Sequence, residues 1–250
     1  MITAERHHII LELLSRTGVV DLQSLVQRTK SSESTIRRDL VLLEEQGLLK
    51  RIHGGATLPT SKIDEPNMQD KSTKNLHDKQ RIAEAAASLV RDGDCIYLDA
   101  GSTVSEMIPF LTNKKVVIVT NGVMHVDSLA SANIMTYLIG GRIKANTKAI
   151  VGSVAQENLK QFRFDKSFLG MNGIDIKFGY TTPDPEEAAL KKIAINLSEE
   201  SFVLADQSKF NDTFFAKVAE IEEVGIITTN LDEYLLKEYT SKTNMKVVTS

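Results

Sequence analysis

Apolar positions at the start of the chain recur with helical spacing. Ile10, Leu13 and Leu14, with Thr17, fall at i, i+3, i+4 and i+7, one face of a helix that Gly18 can end. Asp21 is placed to cap a short second helix that turns Leu22, Leu25 and Val26 inward. Ser31 or Ser32 caps a third, in which Ile36, Leu40 and Leu43 face the core and Gly47 stops the run. Residues 48–52 and 56–58 then flank Gly54-Gly55, a pair that tolerates φ > 0, and so predict a two-stranded wing. Three helices and a wing predict a winged helix-turn-helix over residues 1–58.

Residues 59–79 change character. Pro59, Pro66 and many Ser, Thr, Asn and Lys residues replace the large apolar ones, which predicts a linker. From about Gln80 onward short β-branched runs alternate with amphipathic ones. Strands are expected at 95–98, 116–119, 136–139, 167–169, 202–204, 225–228 and 246–248. Helices are expected at 104–111, 123–130, 151–159, 185–197 and 232–239. This alternation predicts an α/β domain over 80–250 with a mainly parallel, helix-covered sheet.

Composition changes this picture little; charge changes it more. With 42% apolar and 25% charged residues the chain has an ordinary globular make-up. No apolar run approaches the roughly 20 residues needed to span a bilayer, and no leader pattern opens the chain, so a cytoplasmic protein is expected. A single cysteine, Cys95, excludes an internal disulfide and a cysteine-based zinc finger. The net charge of −3 is unevenly divided. Residues 1–62 hold nine basic against seven acidic side chains, and the remainder holds 21 against 26. A mildly basic head and an acidic body fit a nucleic-acid module joined to a domain that does not touch DNA.

In the third helix the 3.6-residue period turns Ser34, Thr35, Arg37, Arg38 and Val41 outward. Small polar residues let a recognition helix approach base edges, and arginine can bond two acceptors of guanine or grip phosphate. The wing adds Lys50, Arg51 and His53 beside Gly54. Asp39 and Glu44 are expected to pair with neighbouring arginines. An isolated Arg pair would be read as the solvated face of a helix; within this unit it is read as a contact surface for operator DNA. One such module makes a small interface, so a homo-oligomer, dimer or tetramer, is expected.

In the body, glycine and polar residues follow nearly every expected strand. Asp99-Ala100-Gly101-Ser102-Thr103 follows Leu98, and Thr120-Asn121-Gly122 follows Val119. Gly140-Gly141-Arg142 follows Ile139, with Lys144 beyond; Asn172-Gly173 follows Leu169, and Asp206-Gln207-Ser208-Lys209 follows Leu204. In an open parallel sheet these ends share one rim, where ligands bind. Gly101, Ser102 and Thr103 open a helix and suit a phosphate. Arg142, Lys144 and Lys209 add positive charge; Asp99, Asn121 and Asp206 suit sugar hydroxyls. The ligand so implied is a small phosphorylated polyol. Each piece also has a plain reading: Gly-Ser-Thr as a turn and cap, Asp206 as a cap, Lys209 as a solvated side chain.

The run Glu33-Ser34-Thr35-Ile36-Arg37-Arg38-Asp39-Leu40, then Leu43-Glu44, Gly47-Leu48 and His53-Gly54-Gly55-Ala56, resembles the signature of the DeoR family of bacterial repressors. The body resembles the effector domain of those regulators, which is similar in fold to ribose-5-phosphate isomerase. Asp99 to Thr103 resembles the isomerase phosphate loop, and Ala205 to Lys209 a late Asp-x-Ser-Lys element. Asn172-Gly173-Ile174-Asp175 stands where the enzyme has Asp-Gly-Ala-Asp, and Gly179-Tyr180-Thr181-Thr182-Pro183-Asp184-Pro185-Glu186-Glu187-Ala188 replaces its catalytic loop. That departure implies binding without turnover, with no catalytic residue, metal or cofactor; the rival is an isomerase-like enzyme carrying a DNA-binding head. The last segment, with Glu187 as a further effector residue, together with Asp94-Cys95-Ile96-Tyr97-Leu98-Asp99-Ala100-Gly101 and Val119-Thr120-Asn121-Gly122, most resembles fructose operon repressors of Gram-positive bacteria. The resemblance implies fructose 1-phosphate as effector, which composition and spacing do not distinguish from other sugar phosphates.

Overall fold

Helix α1 (Thr3–Thr17) ends where Gly18 takes φ +73° and returns its N–H to the Leu14 carbonyl at 2.8 Å. Strand β1 (Val19–Asp21) follows, and Asp21 caps α2 (Leu22–Thr29) by accepting the Ser24 N–H at 2.8 Å. Of the two candidate caps for α3 (Glu33–Glu45), Ser32 is used; its Oγ accepts the Thr35 N–H at 3.3 Å. Ile36, Leu40 and Leu43 are buried against Ile10, Leu14 and Leu25. Burying each such side chain is worth about 1.5–3 kcal/mol. Strands β2 (Lys50–Ile52) and β3 (Gly55–Thr57) form the wing, with β3 antiparallel to both β1 and β2. The wing is therefore three-stranded. Gly54 makes its turn at φ +82°, and a side chain on Gly55 would collide with the Val20 carbonyl.

The computed structural model describes residues 2–52, 54–59, 61–229 and 231–248. The chain divides into two units, Met1–Ser61 and Lys62–Ser250. The stretch 59–79, expected as a linker, is split by that boundary. From residue 62 it belongs to the second unit and holds α4 (Met68–Thr73) and the start of α5 (Leu76–Ala87).

Strands β4 (Cys95–Leu98), β5 (Val117–Thr120) and β6 (Met135–Leu138) come next, with α6 (Ser102–Ser105), α7 (Ile108–Leu111) and α8 (Val126–Ser131) between them. The helix expected over 104–111 is broken because Pro109, at the start of α7, offers no N–H and crowds the preceding turn. A two-stranded ribbon, β7 (Arg142–Ile143) with β8 (Ile150–Val151), precedes α9 (Ser153–Leu159) and β9 (Phe164–Gly170). Then come β10 (Gly173–Asp175), β11 (Gly179–Thr182), α10 (Pro185–Asn196), β12 (Ser198–Leu204), β13 (Ala216–Ala219), β14 (Gly225–Thr229), α11 (Glu233–Thr240) and β15 (Met245–Val248).

Seven strands form one sheet in the order β15-β14-β12-β9-β4-β5-β6, every neighbouring pair parallel. Their alternation feeds two buried apolar layers. Tyr97, Leu169, Val203 and Ile226 enter one; Ile96, Phe168, Leu204 and Ile227 enter the other. A separate antiparallel sheet, β10-β11-β13, was not expected.

Candidate functional site

On α3, Ser34, Arg37 and Arg38 are exposed and Thr35 is half-buried. The Ser34 and Thr35 hydroxyls lie 3.0 and 2.8 Å from the capping Ser32 Oγ. Arg37 pairs with Glu33 one turn earlier at 2.6 Å. Arg38 makes no side-chain hydrogen bond or ion pair with a described residue. Arg51 donates its backbone N–H and its Nε to Glu44, at 2.7 and 2.5 Å, and so pins the wing to the end of α3. A groove of about 230 Å³ runs between helix and wing, lined by Arg37, Arg38, Val41, Arg51 and Gly54. Lys50 is half-buried on β2, and His53 lies outside the described residues. Asp39 does not face this groove. It is buried and accepts from Arg6 at 2.7 and 3.0 Å, with His7 at 3.2 Å, tying α3 to α1. Burial pushes its carboxyl up, but the Arg6 and His7 contacts outweigh that and hold it below the ordinary range.

In the second unit the C-terminal ends of β4, β9 and β12 open into a cavity of about 290 Å³. Gly101 and Gly170 bring the first two strand ends together, since a Cβ on either would lie 3.2 Å from the other's Cα. One side of the cavity is a closed network. Asp99 accepts from the Gly170 N–H at 3.0 Å and from Lys191 of α10. Glu187, one turn before Lys191, accepts from Thr147 and from Lys144, both at 2.8 Å. Burial lowers the Lys191 ammonium and raises the Glu187 carboxyl. The opposite charges prevail, so Lys191 titrates above and Glu187 below its ordinary value.

The other side carries Lys71, Lys74, Lys79 and Lys209 with Asp206. Asp206 accepts from the Ser208 N–H at 2.9 Å and from Asn75 at 3.0 Å. Lys79 is 3% exposed and donates to the Lys71 carbonyl rather than to a carboxylate. Burial, then the neighbouring Lys209, draw the Lys79 ammonium below its ordinary range, with Asp206 opposing. Lys209 is lowered by burial and by Lys71 and Lys74.

Of the effector residues expected from sequence, Asp99, Gly101, Ser102, Thr103, Asn172, Glu187, Asp206 and Lys209 line this cavity. The others do not. Thr120 is buried and donates to the Leu98 carbonyl at 2.6 Å. Asn121 supports the loop from behind, accepting from the Ala100 N–H at 2.9 Å and donating to the Ile150 carbonyl at 3.3 Å. Gly141, at φ +146°, packs against β8. Arg142 pairs with Glu186 at the surface. Lys144 sits behind Glu187 and is also bonded to Asp184 at 2.6 Å and Glu65 at 2.8 Å. Gly173 is pressed against Asp212 and Thr181.

Lys71, Lys74, Lys79, Thr147 and Lys191 are cavity residues that the sequence reading missed. A signal existed for two of them. Lys79 shares the i, i+3, i+4, i+7 face of Ile82, Ala83 and Ala86, and Lys191 shares that of Glu187, Leu190 and Ala194.

A winged helix in one unit and a polar, solute-sized cavity at the strand ends of the other define a DNA-binding regulator that carries its own sensor. The chain belongs to the DeoR family. Residues 6–62 match the DeoR-like helix-turn-helix domain and residues 74–231 match the DeoR C terminal sensor domain. It is 51% identical to the uncharacterized HTH-type transcriptional regulator FruR of Bacillus subtilis, over 99% of both chains. It is 33% identical to the lactose phosphotransferase system repressor of Staphylococcus epidermidis, over 92% of both. Ribose 5-phosphate isomerase A of Methanocaldococcus jannaschii shares 21% identity over 55% of each chain, with a TM-score of 0.42. These relatives in sequence are named as regulators and repressors, and the chain is a transcription regulator rather than an enzyme. Among the described residues no helix is long and apolar enough to cross a membrane.

Proposed function

We propose that the protein is a cytoplasmic repressor of a sugar-utilisation operon, released from its operator by a phosphosugar, with fructose 1-phosphate the first candidate. The observation that carries this is the two-sided cavity: carboxylate and hydroxyl groups on one side, an excess of ammonium groups on the other, at the C-terminal ends of parallel strands. Carboxylates accept from sugar hydroxyls, and a phosphomonoester brings nearly two negative charges to the lysines. The names of the relatives, one an HTH-type transcriptional regulator called FruR and one a lactose phosphotransferase system repressor, support a sugar-linked operon.

In this reading Ser34, Thr35, Arg37 and Arg38 enter the major groove, while Lys50, Arg51 and Gly54 of the wing grip the backbone. Exposed pairs such as Arg37–Glu33 are worth under about 1 kcal/mol, so phosphate can displace the carboxylate. The protein acts as a homo-oligomer on paired half-sites. The effector works only through its different affinity for operator-competent and released states.

The test is an operator gel shift titrated with fructose 1-phosphate, fructose 6-phosphate, glucose 6-phosphate and tagatose 6-phosphate. Release by fructose 1-phosphate at the lowest concentration is expected, and Lys209→Ala should bind operator but resist release. Retention of operator at every concentration of all four sugars would overturn the effector assignment.

A further inference from the structure

Residues 62–75 form a strap across the cavity. It is fastened by polar bonds at intervals. The Lys62 carbonyl accepts from the Phe215 N–H at 3.1 Å, and the Met68 N–H donates to the Asn146 carbonyl at 2.8 Å. Glu65 joins Lys71 at 2.9 Å and Lys144 at 2.8 Å. Asn75 reaches Asp206, and the Lys71 carbonyl accepts from Lys79. Apolar burial adds little: α4 contains no buried residue, and Ile63 is 67% exposed. A segment held by a few polar bonds and little apolar contact belongs to the low-stability end of a structure.

This strap supplies Pro66, Met68, Asp70, Lys71 and Lys74 to the cavity wall. Across from it stand Lys79, nearly removed from water, and Lys209. The side chains of Lys74 and Lys209 make no hydrogen bond or ion pair with a described residue. Lys79 has no carboxylate within bonding distance among the described residues. Four ammonium groups thus meet with Asp206 and Asp70 on their side, and with Glu65 already bonded to Lys71. Positive charge in such excess, in a cavity of this size, is matched by a dianion rather than by a neutral solute.

We propose that Lys71 and Lys74 are ligand-binding residues, and that a phosphomonoester group is held between the strap and the Lys79–Lys209 wall. The proposal rests on the phosphosugar reading and adds where the phosphate goes: to the strap side, with the sugar hydroxyls toward Asp99 and Glu187. Its consequence is linkage. Lys71 and Lys74 reach the ligand only while residues 62–75 are docked, so bound ligand stabilises the docked strap by the part of its binding free energy that these strap residues supply. The strap is also the part of this unit that follows directly on residue 61 in the chain. The ligand is therefore sensed by the very segment through which the DNA-binding unit is attached.

The experiment is calorimetry on the full chain with fructose 1-phosphate, inorganic phosphate and fructose, joined to hydrogen exchange of residues 66–75. The wild type should bind the two phosphate probes and not fructose, and exchange across 66–75 should slow when fructose 1-phosphate is present. The double variant Lys71→Ala/Lys74→Ala should lose at least about tenfold in affinity for both phosphate probes, as removal of charged hydrogen-bond donors requires. Lys74→Glu, a change at an exposed residue with no partner to lose, should do the same with an unaltered fold. Wild-type affinity in both variants, with exchange across 66–75 unmoved by ligand, would overturn the proposal while leaving the phosphosugar reading intact. Failure of the wild type to bind either phosphate probe would overturn that reading and the proposal with it.

Discussion

Arg37 and Arg38 stand in solvent on α3, and the carboxylate that Arg37 holds is itself exposed. Lys79 and Lys191 carry the same charge but are 3% and 5% exposed, inside a unit whose interior fixes their positions. The first arrangement costs the fold almost nothing and leaves the cations free to exchange partners. The second costs desolvation, which is recovered only where a carboxylate or a ligand faces the ammonium. Lys191 has Asp99 and Glu187; Lys79 has a carbonyl and a distant carboxylate. The difference separates charges whose burial the fold itself balances, as at Lys191, from a buried charge that it leaves without a bonded carboxylate, as at Lys79.

The comparison breaks first at Lys191→Met, which strands the Asp99 and Glu187 carboxylates in the interior. A loss of about 3–5 kcal/mol in the second unit is expected. All five tyrosines of the chain lie beyond residue 62 and tryptophan is absent, so intrinsic fluorescence during urea unfolding reports that unit alone. An unchanged midpoint would show that the buried pair contributes nothing.

Acid separates the two units next. His125 is buried, and burial holds its imidazole down to about 4. Between pH 6.5 and 4 the unfolded chain takes up a proton that the folded one refuses. The contribution is complete above pH 6.5 and falls by up to about 3 kcal/mol as pH approaches 4. The lowered Asp39 carboxyl of the winged helix acts later. Its contribution is lost only as pH falls below the ordinary aspartate value. The tyrosine-reported midpoint should therefore decline between pH 7 and 5 in the wild type and hold level in His125→Asn. Equal slopes in both would remove His125 as the cause.

Smaller again is Arg38→Ala, expected to cost about 1–3 kcal/mol of operator affinity. Calorimetry with the sugar phosphate should detect no change. Operator affinity equal to wild type would mean that α3 is not the reading helix. The smallest effect belongs to Glu33→Gln, which should alter stability by less than about 0.5 kcal/mol. A loss above 1 kcal/mol would make the Arg37–Glu33 pair structural and erase the contrast.

What was legible in the sequence follows from where the information sits. Asp21 caps α2 through an N–H three residues away, and Ser32 caps α3 in the same way, so both signals are local. Strand Cys95–Leu98 is a short β-branched and aromatic run between aspartates, and it lies where its pattern put it. The small sheet of β10, β11 and β13 has no such pattern, because Gly173, Gly179 and Thr181 are chosen for close backbone approach rather than for apolar alternation. The cavity was legible as a set of strand ends but not as a set of directions. Arg142 and Lys144 follow a strand as Lys209 does, yet Glu186 and Glu65 draw them elsewhere. Glu187 and Lys191 stand four residues apart, the spacing of an ordinary surface pair; only the packing of α10 on the sheet turns both inward. Lys71 and Lys74 lie in a stretch whose polarity reads as linker, and the bonds that make it a wall come from residues 78 to 153 positions away.

That wall decides where the molecule can be cut. A graft that exchanges winged helices by joining chains between residues 61 and 62 carries the whole cavity with it. A graft joined between 79 and 80, the seam that composition alone points to, leaves Pro66, Met68, Lys71, Lys74 and Lys79 behind. It also leaves Asp206 without Asn75. The first chimera inherits the cavity complete; the second inherits a sheet with one side of its pocket missing.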